Sequence, residues 1–282
     1  MKRYVLGMFV VFSLLAYADS SLVAHKELDM KTKKERVVEL LSSIESGENR
    51  PVGYINPNKY IQHNLSIGDG LEGFGEVIKQ LPKDSTKVEV LRAFEDGDFV
   101  FTHTKYNFFG EKIGFDIFRF EDGKIVEHWD NLQEIVEKTA SGRTQFDGTT
   151  VVVDVDKTAS NKLLVKNFVD DVLLGKNPQK ITKYISTKTY MQHNPYVQDG
   201  LDGLSRALEE LEKAGMPLVY EKNHMVLGEG NFVLAVSEGI FMKNHVAFYD
   251  LFRVEDGKIV EHWDTIEKIP PKEEHKNSNG KF

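Results

Sequence analysis

The chain has no cysteine among its 282 residues, which excludes a disulfide framework, a thiolate nucleophile and a lipid-modified cysteine. It also has no basic run within its body. Lys and Arg number 36 against 44 Asp and Glu, a net charge of −8, so a surface that tracks phosphates is excluded and no nucleic-acid partner is expected. The apolar run from Tyr4 to Leu15 is shorter than the ~20 residues that span a bilayer. A Gly-rich phosphate loop, a Gly-x-Ser-x-Gly elbow and a His-Glu-x-x-His helix are all missing, which sets aside the nucleotide, serine-hydrolase and zincin chemistries they serve. No cofactor and no metal is expected.

What is present begins with Lys2 and Arg3 ahead of that apolar run, followed by Ala16-Tyr17-Ala18. The pattern predicts a signal peptide over 1–18 with cleavage after Ala18, hence a periplasmic or secreted protein with no membrane partner once the signal is removed. The polar segments 19–31 and 270–282 lack apolar periodicity and are expected to be flexible. A composition 40% hydrophobic and 28% charged over this length suits two modest globular domains.

The chain repeats itself. Tyr60-Ile-Gln-His-Asn64 recurs as Tyr190-Met-Gln-His-Asn194, and Asp69-Gly-Leu-Glu-Gly73 as Asp199-Gly-Leu-Asp-Gly203, both 130 residues on. DIFRFEDGKIVEHWD from Asp116 recurs as DLFRVEDGKIVEHWD from Asp250, now 134 residues on. A fixed period of this size points to duplication of a domain, with boundaries at 32–137 and 158–269 and a linker over 138–157, where Thr149 to Val155 is β-branched enough for a short strand. Each copy opens on an amphipathic helix, through Val37, Val38, Leu40, Leu41 and Ile44 or through Leu163, Leu164, Phe168, Val169, Val172 and Leu173. The Gln-His-Asn motif, a second helix capped by Asp69 or Asp199, and four strands follow. The fold class is α+β, two domains with helices on one face of a curved antiparallel or mixed sheet.

Candidate chemistry gathers on the strands. With a three-residue turn at Glu121-Asp122-Gly123, Asp116 faces His128; with a two-residue turn at Asp122-Gly123, Asp116 faces Trp129 and His128 points away. Asp-Gly suits both. Phe99, Phe101 and His103 alternate onto one face where the second copy has Phe232, Leu234 and Val236. His63 and His193 sit at a helix-loop junction between Gln62 and Asn64, or Gln192 and Asn194, and can reach the mouth of the sheet. Trp129 and Trp263 read as core anchors or pocket walls, and Arg119 and Arg253 as partners of Glu127 and Glu261. Asp130 and Asp264 carry no assigned chemistry. A metal held by His63, His103, His128 and Asp116 is the weaker alternative, because the spacing is not a metal signature.

The Gln-His-Asn, Asp-Gly and Phe-Arg-x-Glu-Asp-Gly-Lys-Ile-Val-Glu-His-Trp-Asp motifs, in this order, resemble the SnoaL-like polyketide cyclase family of the nuclear-transport-factor-2-like fold, over nearly all of 32–137 and 158–269. The resemblance implies two cone-shaped domains, each with helices inside a bent sheet and a pocket at the wide end. It also implies ring-closing aldol chemistry with an aspartate as acid-base catalyst and no metal or nucleotide. Asp116 with His103 becomes the implied acid-base pair, with His63 and His128 beside it. Gln62, Asn64 and Trp129 would line that pocket, and Asp250, Gln192, His193, Asn194, His262 and Trp263 its counterpart. Copy two departs at Val236, and copy one has Leu65 where copy two has Pro195. The expected ligand is a small hydrophobic carbonyl compound, turned over by proton transfer or held without reaction. The two copies are expected to pair within the chain, or the chain to form a homodimer.

Overall fold

The computed structural model describes residues 31–282; the expected signal peptide, and all of segment 19–31 but its last residue, lie outside the described residues. The N-terminal half opens on α1 (Lys33–Ser46), followed by β1 (Ile61–Gln62), α2 (Gly70–Gln80), β2 (Lys87–Asp96), β3 (Phe99–Asn107), β4 (Glu111–Glu121) and β5 (Lys124–Glu134). The C-terminal half runs through α3 (Thr158–Phe168), α4 (Ile181–Tyr184), β6 (Met191–Gln192), α5 (Gly200–Lys213), β7 (Val219–Glu229), β8 (Phe232–Phe241), β9 (Asn244–Glu255) and β10 (Lys258–Lys268). The two five-stranded sheets have the orders β1-β5-β4-β3-β2 and β6-β10-β9-β8-β7. In each, only the two-residue strand runs parallel to its neighbour, so the class is mixed α+β. Helix α5 has 14 residues where α2 has 11, which accounts for most of the lengthening of the repeat offset.

Local chemistry explains the elements. Thr32 caps α1: its hydroxyl accepts from the Glu35 N–H while the Glu35 carboxylate accepts from the Thr32 N–H, and Gly47 ends the helix at φ 71°. The apolar stripe Val37, Leu40 and Leu41 is buried against Val100, Phe118 and Phe120 of the sheet. In the other half Val165, Phe168 and Val169 pack on Val233, Phe252 and Val254. Each sheet therefore has a helix-side face and an opposite face. Asp69 and Asp199 stand at the N-cap positions, but neither side chain caps its helix. They accept instead from the Gln62 and Gln192 N–H groups (3.0 and 2.9 Å), fastening β1 and β6 to the helix starts.

The β4–β5 hairpin follows neither expected register. Asp122 at φ 50° and Gly123 at φ 74° form the two-residue turn with both central residues left-handed that matches strand twist, and Phe120 pairs with Ile125. The register then shifts, Arg119 pairing with Glu127, so Val126 is an extra residue, a β-bulge that reverses the alternation beyond it. His128 lands opposite Phe118, and Asp116 opposite Asp130. The same shift recurs at Val260. Replacing Gly123 by Ala is expected to cost ~1–2 kcal/mol, the strain of a left-handed L-residue, measured by chemical denaturation; an unchanged midpoint would show that the turn has another way to close.

The faces turned away from the helices meet. Phe94, Phe101, Phe115, Ile117 and Trp129 of one sheet share a buried cluster with Leu227, Phe232, Leu234, Val236, Tyr249 and Trp263 of the other. Across it Asn131 Nδ2 donates to the Thr265 carbonyl and hydroxyl (both 2.9 Å). The segment Thr149 to Val155 forms no strand; Val153 exchanges bonds with Asn231 instead, its carbonyl accepting from the Asn231 N–H (2.9 Å) and its N–H donating to Asn231 Oδ1 (3.0 Å). The tail expected to be flexible is fastened to the opposite half. The Lys276 N–H donates to the Leu65 carbonyl (2.8 Å), and Asn277 Nδ2 donates to the Asn64 and Ile67 carbonyls (2.8 and 2.9 Å).

Candidate functional site

Two short extended segments, lying side by side, build the site. Because β1 runs parallel to β5 with Gln62 beside His128, the alternation of the two segments interlocks. Gln62 and Asn64 turn to the helix side with His128 and Asp130; His63 turns to the opposite face with Glu127 and Trp129. Gln62 Oε1 accepts from the Asn64 N–H (2.8 Å) and lies 3.1 Å from His128 Nδ1. The backbone donor fixes which amide atom faces the ring, so Nδ1 is the donor. His128 Nε2 lies 3.3 Å from Asp116 Oδ1. Tyr106 donates its hydroxyl to Asp116 Oδ2 (2.6 Å), and Thr102 does so more weakly (3.3 Å). Asn64 Nδ2 donates to Asp130 Oδ2 (2.7 Å), whereas Asp130 Oδ1 is buried without a hydrogen-bond partner among the described residues.

The C-terminal half repeats this constellation. His262 Nε2 lies 3.0 Å from Asp250 Oδ1 and Nδ1 3.1 Å from Gln192 Oε1. Tyr220 donates to both oxygens of Asp250 (3.2 Å each), Asn194 Nδ2 donates to Asp264 Oδ2 (2.7 Å), and Asp264 Oδ1 is likewise buried without a partner. Burial lifts the Asp264 carboxyl above its usual range; the nearby imidazole opposes this and the Asp250 charge reinforces it. Burial works against charge on His262, but the Asp250 bond and the Asp264 and Asp250 charges outweigh it and raise its pKa. Burial, with the Asp116 charge, holds the Tyr106 phenol well above its ordinary value, and Asp250 does the same to Tyr220. Each site thus presents a protonated phenol, an imidazole and an uncommitted carboxylate oxygen among buried side chains.

Several expected members are elsewhere. His103 pairs with Phe115, one step out of phase with Asp116, which faces Thr102, so it points to the sheet-sheet interface. There it stacks on Phe115 (4.5 Å) and takes a hydrogen bond from Arg92 Nη1 on Nδ1 (3.0 Å). Burial and the Arg92 charge hold its pKa well below the ordinary value. It is a neutral interface histidine, which is why Val236 replaces it without disturbing the second triad. His63 stacks on Trp129 (4.6 Å) between Glu127 (2.9 Å) and the Gly280 carbonyl (2.8 Å). His193 stacks on Trp263 (4.6 Å) beside Glu261 (2.9 Å). Both tryptophans belong to the interface cluster and line neither triad. Arg119 and Arg253 pair with Glu127 and Glu261 as expected (2.6 Å each).

Asp130, Asp264, Tyr106 and Tyr220 were not assigned. The alternation that places Gln62 and Asn64 together was available in the letters, and it assigns Asp130 to the side of His128. The four-ligand set with His63 and His103 does not assemble. Ligand atoms of Asp116, His128 and Asp130 lie within 4.8 Å of one another, as do those of Asp250, His262 and Asp264, a spacing open to a small cation. Both nitrogens of His128 face acceptor atoms, and the Lys281 ammonium lies 3.8 Å from Asp130 Oδ1. Two surface hollows lie away from the triads, one bordered by Lys166, Asp170 and His224, the other by Thr182, Arg253 and Lys258.

No family model matches the chain, and no curated protein matches it. Among solved structures it is similar to TsrD from Streptomyces laurentii, at 19% identity over 36% of this chain and 92% of that one with a TM-score of 0.31. It is similar to wild-type IdmH, a proposed polyketide cyclase from Streptomyces antibioticus, at 21% over 35% and 90%, TM-score 0.31. An NTF2-like protein of unknown function from Cytophaga hutchinsonii ATCC 33406 matches at 17% over 37% and 95%, TM-score 0.31. The fold and site define the class directly: an α+β protein with two five-stranded mixed sheets of one strand order, each carrying a buried Asp-His-Asp triad on its helix side.

Proposed function

We propose that the chain is an exported protein of two SnoaL-like, cone-shaped domains, over 32–137 and 158–269, and that each triad moves a proton on a small hydrophobic carbonyl compound without a cofactor. The observation that carries this reading is the partnerless oxygen of Asp130, and of Asp264, within reach of an imidazole and a phenol-bound aspartate. A buried carboxylate oxygen that no protein donor satisfies is available as the proton acceptor at the carbon next to a carbonyl. Charge that then develops on the carbonyl oxygen would be met by the imidazole Nε2 or the tyrosine hydroxyl, each exchanging its Asp116 hydrogen bond for one to the substrate. Asp116, the base expected from the sequence, has both oxygens engaged by Tyr106, Thr102 and His128 and orients the ring.

One observation favours non-reactive binding or a scaffold role instead. Asp116 and Asp250 are only 4% and 1% exposed, so a ligand would have to displace packed side chains to reach them. A panel of small aromatic and aliphatic ketones, screened by thermal shift and recovered for mass analysis and hydrogen-deuterium exchange at the α-carbon, separates the readings. Proton exchange is expected in the wild type and loss of at least ~100-fold in the Asp130→Asn, Asp264→Asn double variant, the usual worth of a positioned base. Binding with no exchange in the wild type leaves only the carrier reading; exchange that survives the double variant removes the aspartates from the chemistry.

A further inference from the structure

Each half is crossed by a strap that the other half supplies. Residues 140–146, which leave β5, lie along the Gln192-Asn194 segment: the Ala140 N–H donates to the Pro195 carbonyl (2.8 Å), Ser141 Oγ to the Gln192 carbonyl (2.9 Å), Arg143 pairs with Asp199 (3.0 Å), and the Thr144 carbonyl meets His193 Nδ1 (2.8 Å). Residues 276–282, which leave β10, do the same for Gln62-Asn64. The Lys276 N–H donates to the Leu65 carbonyl, Asn279 Nδ2 to the Gln62 carbonyl (3.0 Å) and to Asp69 (2.8 Å), and the Gly280 carbonyl meets His63 Nδ1. The two straps align contact for contact, Ala140 with Lys276, Arg143 with Asn279 and Thr144 with Gly280. They differ at the next position.

That position is Gln145 in one strap and Lys281 in the other. Gln145 satisfies backbone of the strand it came from, its Oε1 accepting from the Val136 N–H (2.7 Å) and its amide donating to the Glu134 carbonyl (3.4 Å). Lys281 is 7% exposed. Its ammonium donates to the Asp130 carbonyl (2.8 Å), pairs with Glu267 of β10, and stands 3.8 Å from the partnerless Asp130 Oδ1. A buried ammonium is costly unless it is paired with carboxylates, and the N-terminal site sets two carboxyl groups, Asp116 and Asp130, with atoms within 4.8 Å of each other and of one imidazole.

We propose that Lys281, carried in by the far end of the chain, is a positioning residue of the N-terminal site: it holds the Asp130 carboxylate against the Asn64 amide and makes this site different from its twin, where the aligned strap residue, Gln145, carries no charge. The proposal rests on the reading of the triads as proton-transfer sites, but it concerns which groups set Asp130 and is tested without turnover. The charged and titratable groups around Asp130 are Asp116 on β4, His128 on β5, Glu267 on β10, Tyr60, Tyr106 and Tyr249, and Lys281.

The experiment uses the full chain with 13C-labelled aspartate, following the carboxyl resonances of Asp130 and Asp264 at fixed pH in the wild type, Lys281→Met and Lys281→Arg. The Asp130 resonance is expected to move in Lys281→Met, to return towards its place in Lys281→Arg, and the Asp264 resonance to stay. An unmoved Asp130 resonance, or equal movement at Asp264, overturns the proposal and leaves Lys281 as a structural tie. Should Lys281→Met not fold, Glu267→Gln serves: freeing the ammonium from its rival must move Asp130 and spare Asp264, and failure to do so is equally fatal. Absence of exchange chemistry in every form would defeat the functional reading while leaving this result standing.

Discussion

Replacing Trp263 by alanine is expected to cost ~3–5 kcal/mol, the usual loss for a fully buried Trp, and to be the most destabilising single aromatic truncation at the interface between the halves. The ring is wholly inaccessible, stacks on His193 (4.6 Å), lies against Phe232 (6.1 Å) and carries the Arg92 guanidinium over its face at 4.6 Å. Its indole N–H donates to the Asp147 carbonyl (2.9 Å). That arginine is itself buried, which lowers its pKa to about 10, and it ties the Phe146, Asp147 and Thr149 carbonyls to the first sheet. Removing the indole therefore opens a cavity and strips a buried cation of its aromatic partner. Trp129 is the internal control. It holds the matching position on the other sheet, but its Nε1 is buried without a partner among the described residues, so Trp129→Phe keeps most of the apolar contact and removes an unsatisfied donor. A change within about 1 kcal/mol is expected. Urea unfolding of both variants checks the pair, and equal losses would show that the two tryptophans carry the interface alike.

Much of this architecture could be read from the letters, and the failures have physical causes. Period-two alternation, Asp-Gly turns and the duplicated motifs located the eight long strands and the four longer helices, because each is a local signal, while the single turn of α4 was not foreseen. The position of His128 was not readable, since the bulge at Val126 depends on how β5 meets the rest of the sheet, and Asp-Gly is compatible with either face. His103 was misplaced for a related reason: its apparent convergence with Asp116 needed equal parity across the β3–β4 pair, and the actual register opposes Thr102 to Asp116. Asp130 was overlooked although the alternation of Glu-His-Trp-Asp already puts it beside His128. The tail misled through composition. Lys276 to Asn279 is polar because its partners are the carbonyls and the Asp69 carboxylate of a segment more than 200 residues earlier, and composition does not distinguish those partners from water.

Asp264→Asn is expected to stabilise the protein by about 1–2 kcal/mol near pH 8, roughly the cost of holding an uncompensated buried polar group, and to gain almost nothing near pH 3. A carboxyl whose folded pKa is raised contributes stability that is fully present below its unfolded value, here 3.8, and lost as pH climbs through the folded value. The amide keeps the Asn194 hydrogen bond and cannot ionise, so the variant escapes that loss. His262 shapes the upper limb. Its raised pKa gives stability present below 6.5 and lost as pH rises through the folded value; without the Asp264 charge the variant has less of that stability to lose, so its advantage widens further in alkali. Glu261 contributes with the opposite sign: burial would raise its pKa, but the His193 and Arg253 bonds lower it, adding stability as pH rises from acid in both proteins. It cancels in the difference. In the other half Asp130→Asn deprives the buried Lys281 of a neighbouring charge and is expected to bring no such gain. Thermal midpoints of both variants against wild type from pH 3 to pH 9 test the account; a gain for Asp264→Asn that is the same at both ends, or a loss at pH 8, would mean that the partnerless oxygen is satisfied in solution and is not the reserve of basicity on which the proton-transfer reading depends.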